Sequence, residues 1–304
     1  MEASESKDEA IHGLFNRALG AVLKGKGATA TRFLQQALKV LESSGTKLDE
    51  NFHLSMLFPW ADLFWSINRP DLVLKVFDAI EKESPGDPQI SLHRAIALFH
   101  LARFEEAQNL LSDLEDRGYP AADLHFFLGC LAERVSREAT AMAHFTRAAT
   151  LEPERYVVPA KRDEQTVRDV MNKLIGGVSG PLRNSLSHAR LVIEPLPTDK
   201  DLRESQPPVD PLALASIDAE EPGAGDKAPQ IHAIRLFMKN IEKTVINNEE
   251  LEERLTESLT HELSSVLHSD EDEIRKILPP PTVAAANQQA SPARASAKDT
   301  AGRH

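Results

Sequence analysis

The sequence predicts a mainly α-helical chain in two parts. A solenoid of helical hairpins spans residues 8–155, and a small α+β domain spans residues 156–278. Three observations carry this reading. A 34-residue period runs through the first half, and it disappears past Pro159. The second half then mixes helical spacing with short apolar runs bounded by proline and glycine, as strands are. The 304 residues suit two domains at roughly 100–200 residues each.

Composition narrows the function classes. The chain has 35 Lys and Arg against 47 Asp and Glu, a formal charge of −12. Nucleic-acid backbones and anionic membranes select basic surfaces, so neither is expected as a partner. The single cysteine, Cys130, excludes an intrachain disulfide framework and a cysteine-rich zinc module. The acidic start MEASESKDEA does not read as a secretory signal, and residues 1–7 are expected to be disordered. No run approaches the ~18 apolar residues of a membrane span. A reduced, cytoplasmic protein is the expectation.

The period is recovered at three kinds of position. Ala107 and Ala141 are 34 residues apart, as are Phe77, Leu111 and Phe145. Pro85 and Pro153 differ by 68, with Pro120 one residue late between them. Small residues let two helices of a hairpin approach closely. Phe77 and Phe145 fill the space between hairpins. A proline after the second helix ends it, because it lacks an N–H and disfavours helix in the residue before it. Upstream, Ile11–Lys24 and Ala28–Glu42 form another helical pair, an atypical first hairpin of the kind that caps an array. A longer connection, SSGTKLDEN, follows, and Pro59 is expected to kink or restart a helix.

The best copy, about 122–154, carries Leu128-Gly129, Ala141, Phe145, Ala148 and Pro153. It resembles the tetratricopeptide repeat, with His125 and Ala132 standing where that family prefers large aromatics. Earlier copies place Arg94 where leucine is usual and Val73 where alanine is usual. The resemblance implies an interaction scaffold whose concave groove takes an extended peptide or a partner helix from another protein. The plainer alternative is an array that packs only against its own C-terminal half.

In that half, Lys161–Ile175 has helical spacing, with Gly176-Gly177 interrupting it. Strands are expected at 189–197, 212–218 and 231–237. Residues 198–211, with Pro207, Pro208 and Pro211, read as loop, as do 219–229, giving a flexible region over about 198–229 broken by one strand. From Lys239 to Ile277 the chain is helical in three pieces, with Asn248 as a candidate N-cap and Leu251, Leu255, Leu259 and Leu263 on one face. Residues 279–304 read as a disordered tail. Eleven acids against two bases between Glu242 and Glu273 read chiefly as solvated helix faces, with a basic partner as the sharper alternative.

The chemistry centres on His261-Glu262 within TESLTHELSSVLHSDEDEI. A zinc peptidase helix presents two histidines at i and i+4, one turn apart on one face, with a glutamate after the first as general base. Position 265, where the second His belongs, is Ser265. From about Asp163 to Leu278 the order of segments resembles the bacterial zincin-like metallopeptidase family: ARLVIEPLP, PPVDPLALASID, IRLFMKNIEK, then NEELEERLTESLTHEL. That family continues as His-Glu-x-x-His-x-x-Gly and then an acid.

The family positions become His261, Glu262, Ser265 in place of His, His268 in place of Gly, and Asp270 or Glu271 as the acid. A serine hydroxyl is a poor neutral zinc ligand, so the resemblance implies a degenerate, inactive domain with no cofactor. The alternative is an active zinc peptidase with a rearranged site, in which Glu262 is the base and His261, His268 and Asp270 or Glu271 hold zinc. On a continuous helix His261 and His268 would lie about 10.5 Å apart along the axis, too far to close on one ion without strain. The family's Gly implies a left-handed helix end at 268. The plain reading of His261 and His268 is a leftover pocket, and that of Glu262 is a solvated helix acid. Gly176-Gly177 lacks the residues of a phosphate loop, and Ser185, Ser187 and His188 form no recognisable triad.

Overall fold

The computed structural model describes residues 2–24, 26–43, 58–65, 67–83, 85–180, 182–205, 208–220, 229–245, 247–269 and 271–279. Most of the SSGTKLDEN connection, residues 221–228, Asp270 and the tail from 280 lie outside these. Two units are present: one holds the residues up to Tyr156 together with Thr198–Pro211, the other Val157–Pro197 and the residues from Leu212. Among the described residues no helix is long and apolar enough to cross a membrane.

The first unit opens with α1 (Glu2–Val22) packed on α2 (Gly27–Ser43). Over residues 1–7, where disorder is expected, the described helix begins at Glu2. The segment is rich in acids, which the N-terminal end of a helix dipole favours. Then come α3 (58–65), α4 (Pro70–Glu83), α5 (Pro88–His100), α6 (Phe104–Asp116), α7 (Ala122–Arg134) and α8 (Glu138–Leu151). Pro59 lies in the helical stretch 58–65. Asp87 caps α5, its carboxylate accepting from the Gln89 N–H at 2.8 Å, with Pro88 next in line.

The repeat is written into the backbone. Asn68, Ala102 and Ser136 turn the chain between α3 and α4, α5 and α6, and α7 and α8, with φ of 51°, 54° and 58°. The next residues, Arg69, Arg103 and Arg137, donate their N–H groups to the carbonyls of Phe64, Leu98 and Ala132, each at 2.9 Å. These are helix-ending bonds of the left-handed cap type, and they recur with the 34-residue period. The periodic side chains Phe77, Ala107, Leu111, Ala141, Phe145 and Ala148 are all buried. Arg94, where leucine is usual, reaches back to Asp78 at 2.8 Å and stays at the rim of the hairpin. Cys130 is buried in α7.

The second unit contains α9 (Glu164–Gly177), α10 (Leu182–His188), β1 (Arg190–Glu194), β2 (Ala215–Glu220), β3 (Gln230–Phe237), α12 (Met238–Glu242), α13 (Asn248–Leu267) and α14 (Glu271–Ile277). The sheet order is β1-β3-β2. β1 runs parallel to β3 and β2 antiparallel to it, which leaves β2 on an edge. Val167, Met171 and Leu174 of α9, Ile234 and Leu236 of β3, and the leucine row of α13 form the core. Gly176-Gly177 does not interrupt α9 but completes it, and Gly177 lies so close to Pro279 that a Cβ there would meet the ring at 2.6 Å. The helix α10 escaped the sequence reading because seven residues show too little apolar periodicity.

The region 198–211, expected to be loop within the C-terminal domain, differs in two respects. Residues Asp199–Arg203 form a short helix, α11, closed by a capping box between Thr198 and Asp201. The segment also belongs to the repeat unit. Asp199 pairs with Arg134 at 3.3 Å and Asp210 meets His100 Nδ1 at 2.6 Å. His100 and Arg134 lie one period apart, at the C-terminal ends of α5 and α7, so the inserted segment reads the repeat itself.

A Cβ at Gly129 would meet the Phe145 ring at 2.7 Å. Phe145 is buried, so its ring has little room to retreat. Gly129→Ala is expected to destabilise the protein by about 1–3 kcal/mol through overpacking, read as a lowered midpoint in urea unfolding.

Candidate functional site

Helix α13 sets the site. Its N-cap is Asn247, one residue before the expected Asn248, and the Asn247 side chain accepts from the Glu250 N–H at 2.9 Å. Leu251, Leu255, Leu259 and Leu263 repeat every four residues and are each fully buried. They fix the rotation of the helix about its axis and leave His261 and Ser265 on an exposed face, one turn apart. Glu262 lies to one side of them and is half-buried. It faces the edge strand β2, where the Ile217 backbone N–H reaches its carboxylate.

Burial raises the Glu262 carboxyl above the usual range for glutamate. The neighbouring His261 and the Ile217 N–H oppose that shift without cancelling it. Of the expected ligand residues, the structure brings two together: His261 Nδ1 lies 3.1 Å from Glu271 Oε1. Arg275 shares that carboxylate, with Nη2 at 3.5 Å from Oε2.

His268 takes the left-handed conformation that the family's glycine implies, with φ 50° and ψ 36°. Its N–H donates toward the Ser264 and Ser265 carbonyls, and Ser264 Oγ donates to the Ser269 carbonyl at 2.7 Å. The cap thus ends α13 and turns the chain into α14. His268 is exposed, and it does not converge with His261 and Glu271 into a group of three ligand atoms. Asp270 lies outside the described residues.

A peptidase zinc needs three protein donors of His, Cys or carboxylate type plus an open position. The described residues bring two such donors together on this face, with the exposed Ser265 where the third belongs. Among the described residues one group of three candidate ligands does converge, and it lies elsewhere: Glu115, His125 and His144 in the repeat unit. His125 is visible in the sequence as a departure from the repeat pattern, but its meeting with His144, 19 residues on, depends on how α7 packs against α8.

Residues 186–278 match the family model described as zincin-like metallopeptidase. No curated protein matches the chain. Solved structures resemble its N-terminal half. PilF of Pseudomonas aeruginosa is 21% identical over 49% of this chain, with a TM-score of 0.34, and the match spans 64% of PilF's own length. MamA of Desulfovibrio magneticus RS-1 is 18% identical over 48% of this chain and 77% of its own, with a TM-score of 0.35. A further MamA structure is 14% identical over 45% of this chain and 74% of its own, with a TM-score of 0.34.

Two expectations test this geometry. His268→Gly should stabilise the protein by about 1 kcal/mol by relieving a left-handed non-glycine residue, and His268→Val should destabilise it, both by chemical denaturation. The raised Glu262 carboxyl means that the folded state binds its proton more tightly than the unfolded chain. Stability from this group is full below the unfolded value, about 4.3, and is lost as pH rises through the folded one. Glu262→Gln should therefore melt higher than the natural protein at neutral pH, and the difference should shrink toward pH 4. The chain is thus an array of helical hairpins followed by a small α+β domain that is similar, over residues 186–278, to the zincin-like metallopeptidase family.

Proposed function

We propose that this protein works by binding another protein or peptide through its helical array, and that its zincin-like domain is a regulatory or binding module without peptidase activity. One observation carries the second half of this reading. Ser265 stands on the face of His261, one turn along α13, where a neutral hydroxyl replaces an imidazole. Glu262 keeps the position and the raised proton affinity of a general base, but its neighbours supply too few donors for an ion.

The array half rests on the recurrent hairpins, whose stacked first helices are the surface on which solenoids of this kind take their ligands. The segment 198–211 already covers the C-terminal ends of α5 and α7, so the partner's share is the rest of that face. The acidic balance of the chain favours a partner that is neither nucleic acid nor an anionic membrane. The lone cysteine suits a reducing cytoplasm.

A second reading is favoured by the 3.1 Å approach of His261 to Glu271. In it, His261, His268 and Asp270 or Glu271 gather zinc when a substrate closes the site, and Glu262 acts as base. The two readings separate in a peptidase assay. The full-length protein, supplied with Zn²⁺, is incubated with a quenched-fluorescent peptide library beside Glu262→Gln and Ser265→His. The expected result is no hydrolysis by the natural protein above the Glu262→Gln background, with Ser265→His holding one more zinc per chain than the natural protein. Hydrolysis by the natural protein that Glu262→Gln abolishes would establish the peptidase reading instead.

A further inference from the structure

In the repeat unit, far along the chain from α13, three ligand-type side chains from three successive helices converge. Glu115 comes from α6, His125 from α7 and His144 from α8. His125 Nδ1 and His144 Nδ1 are 3.4 Å apart. Glu115 Oε1 lies 3.7 Å from His144 Nδ1 and 4.0 Å from His125 Nδ1.

Those distances have a meaning. Zinc–nitrogen bonds of about 2.0–2.1 Å at tetrahedral angles place neighbouring ligand atoms about 3.3–3.4 Å apart. The two imidazoles already stand at that separation, and the exposed carboxylate needs to close by roughly 0.3–0.7 Å. Two neutral imidazoles facing through Nδ1 can form one hydrogen bond at most, with one ring forced into the Nδ1–H tautomer. A metal ion satisfies both lone pairs at once.

The surroundings suit a bound cation. The His125 and His144 side chains are 15% and 18% exposed, while Glu115, at 43%, sits at the mouth. His125 is also where the repeat family prefers a large aromatic, so the residue that breaks the packing pattern is one that can ligate.

We infer that Glu115, His125 and His144 bind a Zn²⁺ ion that ties the third and fourth hairpins of the array together. Two imidazoles and one carboxylate are a donor set for borderline ions such as zinc rather than for magnesium or calcium. The ion spans the junction between α6 and the α7–α8 hairpin, and a fourth position faces outward for water or a side chain of the docked partner.

The test uses the full chain stripped with a chelator. Zn²⁺ is titrated calorimetrically and Co²⁺ by its visible absorption, beside His125→Gln, His144→Gln and His261→Ala. The expected result is one zinc per chain, a tetrahedral-type cobalt spectrum and a higher melting temperature on zinc addition. Both signals should weaken at least tenfold in His125→Gln and in His144→Gln, which should match the natural protein's melting in chelator if they fold normally. Failure of the natural protein to take up zinc at micromolar concentration overturns the proposal. So does uptake that survives His144→Gln, or that follows His261→Ala instead, since that would assign the ion to α13. The inference stands apart from the peptidase question, because its reporter residues lie in the other unit.

Discussion

One backbone conformation governs both halves of this chain: a single non-glycine residue in the left-handed region at the end of a helix. At Asn68, Ala102 and Ser136 it reverses the chain, so that the second helix of each hairpin returns along the first. At His268 it stops α13 and turns the chain into α14, which is what carries Glu271 to His261. Each such residue costs about 1–2 kcal/mol against a right-handed one. The cost is offset because the cap bonds satisfy carbonyls at the helix end and the returning helix buries its apolar face. Without these reversals the buried faces of the hairpins would have nothing to pack on, and the helix of the candidate site would run on past its acid.

The sequence made some of this legible and hid the rest for physical reasons. The 34-residue spacing of Ala107 with Ala141 and of Phe77, Leu111 and Phe145 was visible because burial selects residue size, and all of these are buried. The equally periodic Arg69, Arg103 and Arg137 were overlooked, since their repeated role lies in the backbone N–H, which every residue but proline has. Helical spacing made the leucine row of α13 and the shared face of His261 and Ser265 legible, but not the exposure of that face, since the plain reading put His261 in a pocket. The burial of Glu262 against Ile217 was not legible, because it depends on which strand forms the sheet edge. The prolines around 207–211 suggested a loop, but the Thr198–Asp201 capping box acts before them and α11 is complete by Arg203.

The candidate site and the histidine pair of the array make an instructive contrast. On α13, Ser265 rather than a second imidazole stands one turn from His261. In the array, His125 stands opposite His144. A motif read along one helix sees only the first of these. Ligands drawn from three helices are set by the spacing of hairpins, so the repeat that hides them in sequence is also what brings them together.

The placement of Thr198–Pro211 has a consequence in time. The segment lies between β1 and β2 in the chain but belongs to the repeat unit, so the backbone passes between the two units three times. His100 meets a partner 110 residues later, Asp210. At roughly 5–20 residues per second of synthesis, that partner leaves the ribosome some 5–20 seconds after His100 does. The hairpins, built from local contacts, can form as they emerge, but their last side-chain partners arrive only after β1 has been made. A nascent array therefore spends seconds with the ends of α5 and α7 uncovered, and no single cleavage of the finished chain yields either unit whole.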